Sequence, residues 1–532
     1  MAEVQKQEKL VSAALFILAL LCGAWFRFTQ LSLKPFHHDE GVNAYFLLAL
    51  AKQGSTAYKY NPENYHGPTL YYFALTALRA FGESDFALRF WPCLFGVLCI
   101  VLLWWWRDKL GIVGLPAAAW FIAVSPGLVF FSRYFIHEMM FGWCSLAIAV
   151  GAWRYAATKD FKWMALLSIA AGLLFATKET ALITAVVLIV ALLCASVWDV
   201  IRTLLRERRF TPAALIKHLR CDWTAARPSL DHTLSALIIF AFINVFFYSS
   251  AFTNWGGVAD AFKSIMHWTK ERSGTDHVHS TFYYLGILLK LEFPLLLGGL
   301  LAGIVILWRG TRFWLFMGAW TFGIALAYSL IPYKTPWLLV SLMIPLALVC
   351  GYAAEQLYHL FAPLAWRVAW LTVLLITCII CWQQARTVNF EKYEDNSNST
   401  AYFSDWGKKL NLTPYLDGQY GYVYAQTDRD FLEFVAAVKQ AAAQFPSKNE
   451  TGIHVASPEY WPLPWYLRDY SGVAYSGTLP NTIAEGTITQ PIVVARLDQQ
   501  AQMAAVPGWR QLGREYTLRP GVQLLVFVHS QQ

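Results

Sequence analysis

Long apolar runs constrain this 532-residue chain more than any other feature of its sequence. A helix needs roughly 20 apolar residues to cross the hydrocarbon core of a bilayer. Runs of about this length recur eleven times, and hydrophobic residues make up 57% of the chain while charged residues make up only 14%. A soluble domain carries about 25% charged residues. The pattern therefore predicts a polytopic α-helical membrane protein with about eleven transmembrane helices.

The predicted spans cover residues 11–27, 89–106, 112–131, 138–156, 161–177, 180–198, 233–251, 284–308, 313–331, 337–357 and 366–385. The first run could also be the core of a signal peptide, but no small-residue cleavage site follows it, so we expect it to be retained as a span. The apolar stretch 68–81 is too short to cross a bilayer, and its polar flanks predict helical structure on the membrane surface.

Basic residues are concentrated in alternate loops of this predicted topology. With the N-terminus in the cytoplasm, the inner loops include the segment 198–232, which is rich in Arg and Lys. This asymmetry follows the positive-inside rule, and an odd number of spans then places the C-terminus outside the plasma membrane. The net charge of +8 is scattered through short loops. Because nucleic-acid binding requires a basic stripe, we predict no nucleic-acid partner.

Residues 386–532 are polar and differ in character from the residues before them. Short β-rich runs (452–456, 472–475, 491–495 and 522–528) alternate there with helical patterns (430–444 and 459–470). The alternation predicts a small extracytoplasmic α/β domain, which follows a transmembrane domain of residues 1–385 with outer loops at 27–88 and 252–283. Nine cysteines are present but none lies in this polar region, so we expect no disulfide framework.

Ionisable residues gather where the predicted spans meet the outer loops. They include the acids Asp39, Glu40 and Glu138 and the cations Arg133, Lys178 and Lys334. Charge at a membrane boundary is costly, which makes each of these residues a candidate functional group. The cations lie at headgroup depth, where a lipid-linked sugar carries its phosphate. A lipid phosphate that leaves needs cationic stabilisation, and an acceptor hydroxyl needs a carboxylate to take its proton. One such base suffices for displacement with inversion, whereas double displacement requires two carboxylates.

Several motifs occur in one order along the chain. They are Asp39-Glu40 after the first span, the segment 85–96 with Arg89, the segment 132–138 with Arg133 and Glu138, Lys178 in a turn, and Tyr333-Lys334-Thr335-Pro336-Trp337 before a late span. Over about residues 1–385 this order resembles the GT-C membrane glycosyltransferases, in particular their protein-O-mannosyltransferase and lipid A aminoarabinose-transferase branch. Residues 37–41, 65–68 and 333–337 look most like a prokaryotic group of flippase-activity-associated membrane proteins.

The resemblance implies a role for each group of residues. It makes Asp39 the catalytic base, with Glu40, His137 and Glu138 as further catalytic candidates. It implies that Lys178 and Lys334, together with Arg133 and Arg89, contact the carrier phosphate, and that His38, Tyr65, His66, Glu179 and Tyr333 line the substrate pocket. The chain departs from its relatives at His137-Glu138, where they often have Asp. The sequence requires no cofactor, but it leaves open a divalent metal ion held by Asp39, His137 and Glu138.

The expected activity is the transfer of a monosaccharide from a polyprenyl-phosphate carrier to a hydroxyl group of a glycan, lipid or protein in the cell envelope. Two other functions stay open at this point. A transporter or flippase of lipid-linked sugars would place its functional charges near the middle of the membrane, whereas here they gather on one side. A non-catalytic scaffold for envelope-glycan assembly would use the C-terminal domain as a binding module.

Overall fold

The computed structural model describes residues 2–52, 60, 66–208, 210–271, 277–391, 422–423, 426–480 and 488–529. Contacts between residues divide the chain into two compact units. The first unit comprises residues 1–31, 55–392 and 397–422, and the second comprises residues 32–54, 393–396 and 423–532. The segment 32–54, which the sequence placed in the transmembrane domain, therefore groups with the C-terminal residues.

The first unit is built of helices. In chain order, and including α2 of the second unit, they are α1 (Ala2–Phe28), α2 (His38–Lys52), α3 (Thr69–Phe81), α4 (Asp85–Leu102), α5 (Arg107–Val124), α6 (Pro126–Ser132), α7 (Glu138–Thr158), α8 (Phe161–Phe175), α9 (Ala181–Arg206), α10 (Pro212–Ala226), α11 (Leu230–Tyr248), α12 (Gly256–Glu271), α13 (Tyr283–Leu291), α14 (Phe293–Arg309), α15 (Arg312–Leu330), α16 (Leu339–Leu360) and α17 (Leu364–Arg386). Short helical turns at Leu103–Trp106, Pro336–Leu338 and Thr387–Glu391 adjoin α4, α16 and α17.

The eleven predicted apolar runs all fall on these helices, which confirms the polytopic α-helical architecture. Among the described residues, seven helices are long and apolar enough to cross a membrane, or eight if the bent pair α13–α14 forms one span. One of the seven covers residues 85–124 and is 40 residues long, about twice what a single crossing needs. The count of eleven spans stays a prediction.

Burial distinguishes the central helix from the peripheral ones. The span 336–360, which contains α16, is 94% buried over its most apolar stretch, whereas the corresponding values for α11 and α17 are 0% and 6%. Large apolar side chains on the two peripheral helices, such as Ile238 and Leu375, are exposed. A lipid tail is as apolar as leucine, so these side chains can face lipid without a solvation cost.

Helix α5 is broken at a glycine near its beginning. Gly111 has a φ of 83°, a conformation that glycine adopts without strain. Beyond the break, the Glu355 carboxylate accepts hydrogen bonds from the backbone N–H groups of Val113 (2.7 Å) and Gly114 (3.0 Å). Glu355 of α16 therefore caps the restarted helix and satisfies amides that lack a partner inside it.

A second break separates α13 from α14, which meet at an angle of 115°. Glu292 lies at this bend and is 2% exposed. Its Oε1 accepts hydrogen bonds from the Ser125 hydroxyl (2.9 Å), the Gly127 N–H (2.7 Å) and the Tyr422 hydroxyl (2.9 Å). These bonds fix the bend and tie it to the beginning of α6, which Ser125 caps.

The second unit contains a five-stranded mixed sheet. Its strands are β1 (Ile453–Val455), β2 (Val473–Tyr475), β3 (Ile492–Arg496), β4 (Trp509–Arg519) and β5 (Val522–His529), and its further helices are α18 (Asp430–Ala443), α19 (Leu463–Tyr466) and α20 (Gln500–Ala504). The strand order is β2-β1-β3-β5-β4, with β1 parallel to β2 and β3 and with β5 antiparallel to β3 and β4. The predicted α/β domain is confirmed.

Both faces of this sheet are covered by apolar side chains. Along β3, Ile492 and Val494 pack with α18 on one face, while Val493 and Ala495 pack with Met503 of α20 on the other. Successive side chains of a strand point to opposite faces, so an uninterrupted apolar run is what a strand buried on both faces requires.

Candidate active site

Backbone hydrogen bonds join the beginning of α3, with the residues 66–68 before it, to the turn 176–180 between α8 and α9. The Gly67 N–H donates to the Thr177 carbonyl at 3.1 Å. A Cβ atom at Gly67 would lie 2.0 Å from the Ala176 carbonyl oxygen, so only glycine permits this approach. The contact brings the residue before Gly67 to the turn that carries the predicted lysine.

Lys178 and Glu138 form a buried ion pair. Lys178 Nζ lies 2.6 Å from Glu138 Oε1, and each side chain is 6% exposed. Glu138 is the first residue of α7, where the helix dipole also favours a carboxylate. Removing two charges from water is costly, and close pairing offsets that cost. The sequence predicted the lysine as a phosphate ligand and the glutamate as an acid, and in the structure each is the partner of the other.

A second carboxylate is paired with a histidine beside this ion pair. His66 Nδ1 lies 3.2 Å from Glu179 Oε2. Burial alone would raise the pKa of the Glu179 carboxyl, but the charge and hydrogen bond of His66, aided by Lys178, hold that pKa below its usual value. Glu179 is therefore ionised at neutral pH.

His137 lies against the ring of His66, with 4.8 Å between the ring centres. Burial lowers the pKa of His137 well below its usual value, and the nearby charges of His66 and Lys178 lower it further. The imidazole is therefore neutral at pH 7.

These groups border a small cleft with a volume of about 50 Å³. The cleft is lined by His66, Lys178, Glu179, Thr180, Ile183, Tyr328, Ile331, Tyr333, Thr335, Trp337 and Leu338. Four predicted site residues line it, and Glu138 and His137 each contact a lining residue. Tyr65 lies outside the described residues.

Lys334 is directed at backbone carbonyls in this structure. Its Nζ donates to the carbonyl oxygens of Ile331 (2.5 Å) and His279 (3.1 Å). An isolated β-bridge between Val278 and Tyr333 joins the two chain segments next to the Lys334 side chain. Burial lowers the pKa of the Lys334 ammonium below its usual value. Lys334 is 1% exposed and is not among the cleft-lining residues, so its predicted contact with carrier phosphate stays a prediction.

The two predicted arginines contact the end of α1. Arg133 donates to the carbonyl oxygens of Phe26 (2.9 Å) and Gln30 (2.9 Å), and Arg89 donates to that of Leu31 (2.5 Å). These are carbonyls of the last turn and the residues after it, which have no partner within the helix. In the described structure both arginines therefore stabilise a helix end, and neither lines the cleft.

The remaining predicted residues begin α2 in the second unit. Glu40 is 1% exposed, and its Oε2 accepts a hydrogen bond from the His37 N–H at 3.1 Å, which caps the helix. The Asp39 side chain is 36% exposed and its Oδ2 lies 4.0 Å from His37 Nδ1. Burial and the nearby Arg519 lower the pKa of His38. Of the two acids Asp39 and Glu40, Asp39 is therefore the one that solvent can reach, whereas the buried Glu40 caps α2.

The sequence left open a metal ion held by Asp39, His137 and Glu138. Within the described part of the chain, no three His, Cys, Asp or Glu side chains are placed to hold one. Glu138 is already paired with Lys178. The metal site at Asp39, His137 and Glu138 therefore stays a prediction.

Two cleft residues, Thr180 and Tyr328, were missed by the sequence reasoning. Thr180 directly follows the Lys178-Glu179 pair in a turn that the motifs had already identified. Tyr328 lies in the last turn of α15, an otherwise apolar helix. A polar side chain at the end of an apolar span indicates a functional group, and this pattern could have identified Tyr328 from the sequence.

Neither a protein-family model nor a characterised protein sequence matches the chain. Its fold is similar to that of ArnT from Cupriavidus metallidurans bound to undecaprenyl phosphate, with a TM-score of 0.56, 15% identity and 97% of both chains covered. It is also similar to the oligosaccharyltransferase AglB from Archaeoglobus fulgidus in complex with an inhibitory peptide and a dolichol-phosphate. That match has a TM-score of 0.51 and 11% identity, and covers 92% of this chain and 70% of the other.

Both proteins are GT-C membrane glycosyltransferases. At 15% identity or less the likeness establishes a shared fold. The apolar helices of the first unit and the sheet of the second agree with it. The chain is therefore a multi-pass membrane protein with the GT-C fold, as its ordered motifs predicted.

Proposed function

We propose that this protein is a glycosyltransferase that moves a monosaccharide from a polyprenyl-phosphate carrier to a hydroxyl group of a glycan, lipid or protein. The observation that carries the proposal is the cleft at the ends of α9 and α15, which is bordered by the buried ion pair Lys178–Glu138 and by the hydrogen-bonded pair His66–Glu179. The proteins that share the fold bind polyprenyl phosphates, undecaprenyl phosphate in ArnT and dolichol-phosphate in AglB.

Lys178 supplies the cation for the leaving group in this proposal. When the bond from the sugar to the carrier oxygen breaks, negative charge grows on the lipid phosphate, and a fixed ammonium stabilises it most strongly in a site shielded from water. Glu138 holds the Lys178 side chain in one position before substrate arrives. A pre-positioned cation needs little reorganisation during the reaction, which is why this buried pair supports an enzymatic site.

Asp39 takes the proton of the acceptor hydroxyl in this proposal. The assignment rests on the motif resemblance, and it is supported by the exposed carboxylate at the beginning of α2, beside the buried Glu40. One carboxylate base with a cationic leaving-group site suffices for direct displacement, so the anomeric configuration inverts.

The charge distribution supports the orientation proposed for the protein in the plasma membrane. Arg and Lys are concentrated in the segment 198–232, which the positive-inside rule assigns to the cytoplasm. The N-terminus then lies inside, and the turn at Lys178 and the C-terminal domain lie outside. Reporter fusions at residue 209 and at the C-terminus should give opposite sidedness, and equal sidedness would refute this orientation.

The test of the function uses the purified full-length protein in detergent with a polyprenyl phosphate that carries a radiolabelled hexose. Because no transport occurs in detergent, released or transferred sugar distinguishes an enzyme from a flippase or a scaffold. We expect Asp39→Asn to abolish transfer and Lys178→Met to lower the rate by about 100-fold or more.

Matched controls come from the exposed pair Lys162–Asp160, whose Nζ and Oδ2 atoms are 2.6 Å apart. Lys162→Met and Asp160→Asn should leave the rate unchanged. If the wild-type protein releases no sugar from any labelled donor, or if Asp39→Asn and Lys178→Met turn over normally, the proposed function is wrong.

A further inference from the structure

Several buried polar side-chain atoms at the cleft have no hydrogen-bond partner. Among the described residues, three such atoms belong to cleft-lining side chains: Glu179 Oε1, Thr180 Oγ1 and Tyr328 OH. Thr184 Oγ1 is a fourth and lies one helical turn beyond Thr180. The residues are 8%, 4%, 3% and 1% exposed, respectively.

The geometry of these groups leaves their polar atoms available. Glu179 uses Oε2 for His66 and has Oε1 unengaged. Thr180 lies at the N-cap position of α9 but forms no side-chain cap. The Tyr328 hydroxyl lies near those of Ser341, Thr184 and Thr180, yet it forms no hydrogen bond of ordinary geometry with them.

Such a concentration is unusual for a structural core. The large majority of buried polar side-chain atoms in proteins have a partner, because an unsatisfied one lowers the stability of the fold. Thr177, one turn earlier, shows the ordinary case, because its hydroxyl is bonded to Thr69 and to the Leu173 carbonyl. The unpartnered atoms therefore indicate a polar ligand in the cleft.

The charges in the cleft select the kind of ligand. The Lys178 ammonium is paired with Glu138, whereas Oε1 of the ionised Glu179 has no cation within bonding distance. A sugar carboxylate placed next to Glu179 Oε1 would be repelled by it, whereas the carrier phosphate lies at the Lys178 ammonium in this proposal. Hydroxyl groups both donate and accept hydrogen bonds, so a neutral polyhydroxylated group satisfies the carboxylate oxygen and the three hydroxyls together.

The walls of the cleft agree with a sugar ring. Trp337, Ile183 and Ile331 contribute apolar surface beside the polar atoms. A hexose presents a C–H face as well as hydroxyl edges. A ligand with both kinds of surface matches a cleft with both kinds of wall.

We propose that Glu179, Thr180 and Tyr328 form a specificity subsite that binds the neutral hexosyl group of the donor and rejects a uronosyl group. The inference rests on the proposed function and adds the class of sugar to it. Lys178 serves the phosphate, and these three residues serve the sugar hydroxyls.

The test measures equilibrium binding of four lipids to the full-length protein in detergent: polyprenyl phosphate alone and the same lipid bearing glucose, mannose or glucuronic acid. The wild-type protein should bind one of the neutral hexosyl lipids at least tenfold more tightly than the glucuronosyl lipid. Thr180→Val and Tyr328→Phe should each weaken binding of that hexosyl lipid about threefold to tenfold, the effect of one hydrogen bond, and should leave binding of the unglycosylated carrier unchanged. Glu179→Gln should reduce the discrimination against glucuronic acid.

Two control substitutions remove a threonine or a tyrosine hydroxyl from residues that do not line the cleft. Thr321→Val deletes a hydroxyl that is bonded within α15, to the Met317 carbonyl at 2.7 Å. Tyr352→Phe deletes the hydroxyl of a buried tyrosine whose ring stacks on Trp314. Neither should alter the affinity for any of the four lipids.

The outcomes separate this subsite from the proposed function. Equal weakening of all four lipids by Tyr328→Phe and Thr180→Val would overturn the subsite, because the hydroxyls would then serve the carrier. Equal wild-type affinity for hexosyl and glucuronosyl lipids would also overturn it, while leaving carrier binding and the proposed function intact. A wild-type protein that binds none of the four lipids would overturn both.

Discussion

The Lys178–Glu138 pair has two roles that single substitutions cannot separate. Removing either partner leaves a buried, uncompensated charge, and this costs about 3–5 kcal/mol whether or not the pair takes part in the reaction. Loss of activity in Lys178→Met alone therefore has two explanations, one chemical and one structural.

The double variant Lys178→Met, Glu138→Gln distinguishes them. Removing both charges eliminates the uncompensated one, so the thermal midpoint in detergent should recover most of what either single variant loses. Transfer should not recover, because no cation remains for the leaving phosphate. The readouts are the thermal midpoint and the rate of sugar transfer. Recovery of both would show that the pair is purely structural.

His137 makes the stability of the protein depend on pH in a defined window. Its folded-state pKa is lowered by burial, whereas in the unfolded chain it has the ordinary value near 6.5. Below pH 6.5 the unfolded chain therefore binds a proton that the folded chain does not, and stability falls as pH decreases. The contribution is fully present above that pH.

We expect the thermal midpoint of the wild-type protein to decrease more steeply between pH 6.5 and 5 than that of His137→Gln. The comparison is made between the two pH profiles, since carboxyl groups contribute to both. A substitution at His218, which is exposed on α10, should retain the wild-type slope. Parallel profiles for wild type and His137→Gln would contradict the assignment of a neutral buried imidazole.

At the scale of elements, the turn 176–180 depends on the close approach of the segment before α3. A methyl group at Gly67 would lie 2.0 Å from the Ala176 carbonyl oxygen, so Gly67→Ala must displace one of the two segments. Overpacking of this kind costs about 1–3 kcal/mol. We expect transfer to fall at least tenfold, with a lowered thermal midpoint. Gly256→Ala is the control, because its nearest neighbour would lie at 3.5 Å.

The helices could be predicted from the sequence because length and apolar composition identify them one at a time. The breaks could not, since the 115° bend at Glu292 depends on donors that come from Ser125 and Tyr422, more than 100 residues away. Strand β4 was missed because many of its side chains are exposed and polar, so it lacks an apolar run. It is held by its neighbour β5 in the sheet.

The residues of the candidate site could likewise be predicted only in part from the sequence. The motifs identified Lys178, Glu179 and His66, which the structure places around one cleft. They could not show that Arg133 and Arg89 would be directed at carbonyls, because backbone acceptors at a helix end exist only in the folded chain. The same reason applies to Lys334.

At the scale of the whole molecule, the second unit joins two distant parts of the chain. Phe36, just before α2, stacks on Trp465 with 5.3 Å between ring centres, and its N–H donates to the Tyr466 hydroxyl at 2.8 Å. A Cβ atom at Gly41 within α2 would lie 2.5 Å from Pro462 Cβ. The C-terminal residues therefore support the helix α2, which carries the predicted base Asp39.

This support predicts that a substitution more than 400 residues from Asp39 impairs transfer. Trp465 is 1% exposed, and Trp465→Ala removes the surface on which Phe36 packs, so α2 should shift. Because a displacement of about 1 Å at a reacting group can cost 100-fold in rate, we expect transfer to fall by about tenfold to 100-fold. Tyr466→Phe removes one hydrogen bond and should cost about threefold to tenfold. The control Trp509→Ala removes an aromatic ring from the opposite face of the same sheet, beside His529. If it lowers transfer as much as Trp465→Ala at equal thermal stability, the effect comes from the domain as a whole, and α2 needs no specific support.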